Sequence, residues 1–198
     1  MILSLICLAA LQSAKASDFF PVLAGTVRTY EQKSKSELLV NTIGKSIDMG
    51  GIDVIPVTEI TGGSEQRTTY YRVESDQVTI VAYDINKPLA VPMPVLKVGT
   101  GKVTWDYQGN TGTGNTGERY LAHGEAKMAG QRSILGKKVD VLIVKLEAAV
   151  GGGMAGVTFS QTTVYARNIG MVEQSTIQRL GKKKIEASYH LVSIEKAP

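Results

Sequence analysis

Short runs of alternating apolar and polar residues, separated by turns, cover most of the chain. Val103, Trp105 and Tyr107 alternate with polar neighbours, which predicts a half-buried strand over 102–108. Val, Thr, Ile and Tyr dominate such runs, and Gly recurs between them. Further strands are predicted over residues 26–33, 37–48, 52–60, 65–74, 77–83, 139–150, 157–167, 171–180 and 185–195. With roughly ten or eleven strands and little helix, the pattern predicts a mainly all-β fold.

Successive strands joined by short turns are expected to pair antiparallel with their neighbours in sequence. A sheet of so many twisted strands curls rather than staying flat. We therefore predict a strongly curved antiparallel sheet that forms a half-barrel or a barrel. Strand 139–150 carries Leu142 and Val144 on one face and Val141 and Ile143 on the other. Apolar residues on both faces predict that this strand is the most deeply buried.

Two segments of the chain occur twice, in the same order. A Pro-Val-Leu sequence leads into Gly-Thr and then to an aromatic residue, first Tyr30 and later Trp105. A second pair of similar segments is rich in Thr and Tyr. The paired segments are 21–26 with 94–100, and 68–73 with 162–167. The sequence therefore predicts two related β-meander halves, roughly 17–86 and 87–198.

Three stretches depart from a simple strand pattern. Pro56 predicts that strand 52–60 lies at a sheet edge or is bulged. Three prolines within 86–98 exclude a helix and a central strand, and they favour a crossing arm that is partly polyproline II. Residues 118–129 are ambiguous between helix and strand, and Gly124 weakens the helix interpretation.

The first residues have the pattern of a secretory signal peptide. Residues 2–11 are apolar apart from Ser4, and the following segment ends in Ala14-Lys15-Ala16, a small-x-small cleavage pattern. The apolar run is about half of the roughly 20 residues that span a bilayer. We predict a signal peptide over 1–16 rather than a transmembrane helix, although no basic residue precedes the run. The alternative is a buried N-terminal segment.

Cys7 is the single cysteine, and Ile6 before it is larger than the residue that precedes a lipoprotein cysteine. A lipid anchor at Cys7 is thus a disfavoured alternative. Cleavage after Ala16 leaves residues 17–198 as a single domain without a disulfide or a thiol nucleophile. Loss of Lys15 lowers the formal charge from +4 to +3, which does not indicate a nucleic-acid partner.

Two basic clusters each follow a glycine, which predicts solvated hairpin tips at Lys137-Lys138 and 182–184. The sharper alternative is peripheral contact with anionic lipid headgroups. The tract 109–117 is rich in Gly, Asn and Thr but lacks the Lys of a phosphate loop, so it is predicted to be a flexible loop.

The two histidines are the candidates for catalysis or metal binding. His123 has Glu125 two residues away on the same strand face, whereas His190 is distant in sequence. No nucleophile motif accompanies either residue, and a metal would need carboxylates from elsewhere. We predict no cofactor, no metal and no enzymatic activity, and we keep a hydrolase or metal site around His123 or His190 as an alternative.

Aromatic residues inside the predicted strands are the candidates for binding a ligand. If one face of the curved sheet is a groove, they would line an apolar site, and otherwise they belong to the core. The candidates are Tyr71, Trp105, Tyr107, Phe159 and Tyr165. The Phe19-Phe20-Pro21 segment is predicted to plug one mouth of the barrel, with an exposed docking segment as the alternative.

Several segments resemble secreted bacterial β-rich proteins of unassigned function and, more distantly, the LolA/LppX-like half-barrels of the bacterial envelope. The segments are 18–26 with Tyr30-Glu31, 69–73, 92–105 and 165–172. The resemblance implies a curved sheet that holds a lipid or a lipid anchor in its concave face, with no catalytic residues. This chain departs from the pattern because no clear helix covers the groove.

The leading prediction is a non-enzymatic exported protein, periplasmic or extracellular, that binds a lipid or another apolar ligand in the concave face. The second is an interaction or assembly module that meets another envelope protein through strand edges, the Pro-rich arm and the edge near Pro56.

Overall fold

The computed structural model describes residues 14–33, 35–110, 119–151 and 157–196. These residues form one short helix and thirteen strands. The elements are α1 (Ala16–Phe19), β1 (Thr26–Gln32), β2 (Leu38–Ile43), β3 (Ile47–Asp48), β4 (Asp53–Thr61), β5 (Glu65–Val73), β6 (Gln77–Ala82), β7 (Pro88–Lys97), β8 (Lys102–Asn110), β9 (Arg119–Ile134), β10 (Lys137–Val150), β11 (Val157–Ala166), β12 (Gly170–Leu180) and β13 (Lys183–Lys196). Cys7, most of the predicted signal peptide and most of the tract 109–117 lie outside the described residues.

The strands form one antiparallel sheet that winds almost into a closed barrel. Most strands pair with their neighbours in sequence, the exceptions being that β2 pairs with β4 and that β7 and β8 do not pair with each other. Strand β1 also pairs with β13, which joins the two ends of the chain. The two-residue strand β3 pairs only with β4. The strongly curved antiparallel sheet predicted from the sequence is therefore confirmed. No helix in the described part of the chain is long and apolar enough to cross a membrane.

Apart from β3, the barrel consists of two meanders of six strands each. The first comprises β1, β2 and β4 to β7, and the second comprises β8 to β13. The repeated segments 68–73 and 162–167 fall on the fourth strand of each meander. Segment 21–26 leads into β1, whereas segment 94–100 begins at the end of β7 and ends just before β8. Because β7 pairs with β6, the first meander ends near Lys97 rather than at residue 86.

The barrel has a seam between β7 and β8, the two ends of the hydrogen-bonded strand order. Side chains of β8 bridge it. The Trp105 Nε1–H donates to the carbonyl of Pro94 at 3.2 Å, and the Tyr107 hydroxyl donates to the carbonyl of Val91 at 2.9 Å. The Trp105 ring lies against Gly124 of β9, where a Cβ atom would overlap the indole. Two buried aromatic side chains thus close the barrel where no strand ladder does.

The crossing arm predicted over 86–98 is wrong, because most of this segment forms strand β7. The exclusion of a central strand is correct, since β7 pairs with β6 on one side and faces the seam on the other. Proline lacks an N–H group, so a terminal strand with register shifts accommodates three of them.

The edge position predicted from Pro56 is also wrong, because β4 lies between β2 and β5. Pro56 falls where β4 changes partner: Val57 pairs with β2, and Val54 pairs with β3. No ladder N–H is needed there, and the Pro56 carbonyl still accepts from the Gly44 N–H at 2.8 Å. A proline is therefore tolerated inside the sheet.

The ambiguous stretch 118–129 lies largely in β9, which pairs with β10 in a long hairpin. Arg132 lies 3.6 Å from Glu173 of β12, so the hairpin leans across β11. The two faces of β10 belong to different apolar clusters. Val141 packs with Val164 and Val172 in one cluster, whereas Leu142, on the other face, belongs to the main core. The predicted burial of this strand on both faces holds at this end.

Helix α1 closes one mouth of the barrel. Phe19 is fully buried among side chains that include Val78, Leu96 and Trp105. The Ala16 N–H donates to the Ser75 carbonyl at 2.9 Å, so the plug includes the last residue of the predicted signal peptide. The predicted plug is confirmed for Phe19. We call this mouth the closed end, and the mouth at the β4–β5, β6–β7 and β12–β13 turns the open end.

Candidate functional site

Side chains that point into the barrel leave a cavity of about 350 Å³. Its lining extends from Gly170 and Met171 near the closed end to Tyr120 and Phe159 near the open end. Between Tyr165 and Phe159 of β11, both of which line the cavity, strand geometry spans roughly 20 Å. The volume lies at the lower end of the range for small-molecule sites, roughly 300–1,000 Å³.

One side of the cavity is apolar. Ile80 of β6, Met93 of β7 and Leu146 of β10 belong to one buried cluster, against which Tyr120 and Phe159 pack. These five residues all line the cavity. This wall suits an alkyl chain because most of its surface consists of methyl, methylene, thioether and aromatic groups.

The opposite side carries a polar row, which we define as Arg28, Asn41, Glu59 and Arg67. Register pairs Arg28 with Asn41, Asn41 with Glu59, and Glu59 with Arg67, on successive strands β1, β2, β4 and β5. All four residues line the cavity. Arg67 and Glu59 form an ion pair at 3.0 Å. The interior is therefore amphipathic, with one apolar wall and one charged wall.

The structure separates the five predicted ligand-binding aromatics into two groups. Tyr71, Phe159 and Tyr165 line the cavity. Trp105 is buried in the core at the seam, and Tyr107 beside it borders a recess of about 80 Å³ near Tyr120. Whether any of the five contacts a ligand stays a prediction.

Burial raises the pKa of the cavity tyrosines above its ordinary value. Desolvation raises the pKa of Tyr71 and Tyr165 far above the usual tyrosine value, and it raises the pKa of Tyr120 to about 12. At neutral pH these hydroxyls remain protonated. They can donate hydrogen bonds without adding negative charge to the cavity.

His123 lies outside the barrel. Its Nδ1 is 2.8 Å from the Asp106 Oδ1, and register continues the row through Glu147 to Ser160 on the outer face. These residues border a broad, open depression of about 850 Å³. Ser160 is two strands from His123, roughly 10 Å away at the usual strand spacing. That separation is too large for a direct hydrogen bond between Ser160 as a nucleophile and His123 as its base.

His190 belongs to a different part of the outer surface. Its Nε2 lies 3.5 Å from a carboxylate oxygen of Glu31 on β1. Three strands, β10 to β12, separate it from His123 on β9, so the histidines do not converge. Within the described residues, no group of three or more His, Cys, Asp or Glu side chains is placed to hold a metal ion.

Sequence reasoning did not identify the polar row. One signal was available: Arg28 is two residues before Tyr30 in a strand, so the two side chains must share a face. The face of Tyr30 is the inner one. A charged residue in an alternating strand is normally assigned to the solvent-facing side. Arg28 faces the interior instead because the whole sheet curves into a barrel around it.

No protein-family model and no curated protein sequence matches the chain. A Bacteroides fragilis structure, described as an exported protein with a YmcC-like fold, is 12% identical with a TM-score of 0.45, over 90% of this chain and 99% of that chain. A Parabacteroides distasonis structure, described as a lipoprotein, is 12% identical with a TM-score of 0.46, over 93% of this chain and 100% of that chain. At these values neither structure bears on function, and the likeness to LolA/LppX-like half-barrels stays a prediction.

Proposed function

We propose that this is a non-enzymatic exported protein that carries a lipid or another apolar ligand inside its barrel. The observation that supports the proposal most is the cavity of about 350 Å³, with its apolar wall of Ile80, Met93, Leu146 and Phe159. Export is supported by the apolar N-terminal run and the cleavage pattern at Ala14-Lys15-Ala16.

The cavity favours a ligand with a single chain. Taking roughly 30 Å³ for each water-sized group, 350 Å³ holds about a dozen such groups. That number fits one alkyl chain of medium length. The apolar wall would then cover the chain along the barrel axis, with entry through the open end.

Uptake of an apolar dye tests the proposal. Delipidated protein titrated with N-phenyl-1-naphthylamine should enhance the dye's fluorescence, saturate at one dye per chain, and release the dye when a long-chain competitor is added. The reason is that the dye gains an apolar environment only by entering the cavity. A fluorescence signal that rises linearly without saturating, as it does for nonspecific binding of the dye to denatured protein, would contradict the proposal.

The open end also has the composition of a membrane-contacting surface. Large apolar side chains are exposed at the open end. We define the rim as these apolar side chains and the cationic side chains near them. The apolar members are Leu38, Tyr83, Ile85, Leu180 and Ile185. Three rim lysines pair with Glu37, Asp84 and Glu186. The described rim cations without a salt bridge to a described side chain are Lys33, Arg119, Arg179, Lys182 and Lys183.

Exposed apolar residues mixed with unpaired cations match an anionic bilayer surface. We predict that the protein co-sediments with phosphatidylglycerol-containing vesicles and that added salt weakens this binding. The Lys182→Glu/Lys183→Glu variant should lose about tenfold or more in vesicle affinity, at about 1 kcal/mol for each lysine near the surface.

A matched control exists at the other end of the barrel. Lys137 and Lys138 are exposed beside the β9–β10 turn, on the side of the closed end. Lys137→Glu/Lys138→Glu makes the same change in net charge and should leave vesicle binding close to that of the parent protein. Equal losses in both double variants would show a response to net charge and would contradict a docking rim.

The alternative of an assembly module has weaker support. Pro56 is not at a sheet edge, and the edges of β7 and β8 face each other across the seam, where Trp105 and Tyr107 occupy carbonyls of β7. A serine hydrolase at His123 has weak support, because Ser160 lies two strands from the imidazole.

A further inference from the structure

Arg28 is a buried cation without a carboxylate partner. Its side chain lies on the inner face of β1, and the residue is only 8% exposed. The Nη2 group donates to the Pro21 carbonyl at 3.1 Å, while the Nε–H group, also buried, has no hydrogen-bond partner among the described residues. Among the described side chains, no Asp or Glu lies within ion-pair distance of Arg28.

The nearest acid of the polar row is already engaged. Glu59 lies two strands from Arg28 and pairs with Arg67. The row thus carries two cations and one anion, which leaves one positive charge uncompensated inside the barrel. A buried charge without an oppositely charged partner is destabilising, so a barrel without an anion there would be more stable with a neutral residue.

The surroundings of Arg28 leave room for its guanidinium group. Gly170, at the start of β12, has φ of +98°, and a Cβ atom there would lie 3.0 Å from the Arg28 Cζ. Asn41, the register partner of Arg28, has a buried side-chain oxygen that accepts no hydrogen bond within the part of the chain that the structure describes. The Arg28 guanidinium group therefore lies beside the cavity with a donor that no described residue uses, whereas the Asn41 oxygen can only accept a hydrogen bond.

We propose that Arg28 binds the carboxylate headgroup of a single-chain fatty acid whose alkyl chain lies along the apolar wall. The headgroup would lie near the closed end, because Pro21 and Gly170 both belong to that end. The chain would extend from there past Leu146 toward Phe159. A guanidinium fork suits a carboxylate because two N–H groups can donate to its two oxygens. The inference rests on the proposed function, since it names the ligand of the same cavity.

Displacement of bound N-phenyl-1-naphthylamine by three ligands of equal chain length tests the assignment. The parent protein should bind dodecanoate about ten- to hundredfold more tightly than dodecanol, since a charge-assisted hydrogen bond is worth that much, and dodecylamine most weakly. Sodium acetate and inorganic phosphate should not displace the dye. If dodecanol displaces it as well as dodecanoate, the headgroup assignment fails while the carrier function stands. If no ligand or dye binds, the carrier function itself fails.

Variants at Arg28 locate the preference. Arg28→Gln should bind dodecanoate and dodecanol equally, and Arg28→Lys should keep an intermediate preference. Arg132→Gln, which removes a guanidinium from the outer surface, should keep the full preference. Undiminished preference in Arg28→Gln would overturn the assignment. If Arg28→Gln does not fold, the assignment is tested by the preference of Arg28→Lys for dodecanoate over dodecanol and by the affinities of the parent protein for the three ligands. Strong competition by acetate or phosphate would show a free-anion site and would also overturn it.

Discussion

Replacing Phe19 with alanine is expected to lower the free energy of unfolding by about 3–5 kcal/mol, the usual cost of removing a buried phenyl group. Phe19 is fully buried at the closed end, where its ring packs in the main core and the Arg167 guanidinium lies 5.4 Å from its centroid. Truncation would leave a cavity at the plug and expose the interior beneath it. Urea denaturation followed by Trp105 fluorescence measures the change.

Leu23→Ala is the control for the Phe19 variant. Leu23 lies four residues further along, in the same connection before β1, but is 56% exposed. Its truncation should change the free energy of unfolding by less than about 0.5 kcal/mol. Equal and small effects for both variants would show that the α1 segment does not contribute to the fold.

Replacing Gln161 with tryptophan is expected to abolish ligand uptake while keeping the barrel folded. Gln161 lines the cavity beside Leu146, its register partner on β10, and its amide N–H donates to the Thr163 hydroxyl at 3.0 Å. An indole ring there would fill a large part of the 350 Å³. We expect the affinity for the apolar dye to fall by more than about tenfold, with a stability change within about 1–3 kcal/mol.

Thr162→Trp provides the matched control, because the next residue of the same strand points to the outer face. This variant should bind the dye like the parent protein. The dye titration is read together with a circular dichroism spectrum for each variant. A Gln161→Trp protein that is folded and binds the dye normally would place the binding site outside the cavity.

The curved sheet could be predicted because most of the local signals, the alternation within strands and the turns between them, agreed with the final fold. Alternation at Val103, Trp105 and Tyr107 predicted β8 and its inner face, and the turns between runs predicted antiparallel neighbours. Such signals depend on residues within a few positions of each other, so a single sequence carries them.

The seam and the polar row could not be predicted, because both depend on contacts between distant strands. The bond from Trp105 to the Pro94 carbonyl exists only because β7 and β8 flank the seam. Three prolines therefore resembled a crossing arm although they form an edge strand. Arg28 likewise becomes an interior residue only when β1 pairs with β13 and the sheet winds nearly closed. Local pattern could not distinguish this residue from a solvated one.

Native mass spectrometry of the protein, purified gently from the cells that make it, tests the central claim most directly. The account predicts one bound single-chain anionic amphiphile for each chain of the parent protein, and none for Gln161→Trp prepared in the same way. A parent protein that carries no added mass and, after delipidation, takes up neither dye nor dodecanoate would contradict it. The same bound mass in the Gln161→Trp protein would contradict the location inside the barrel.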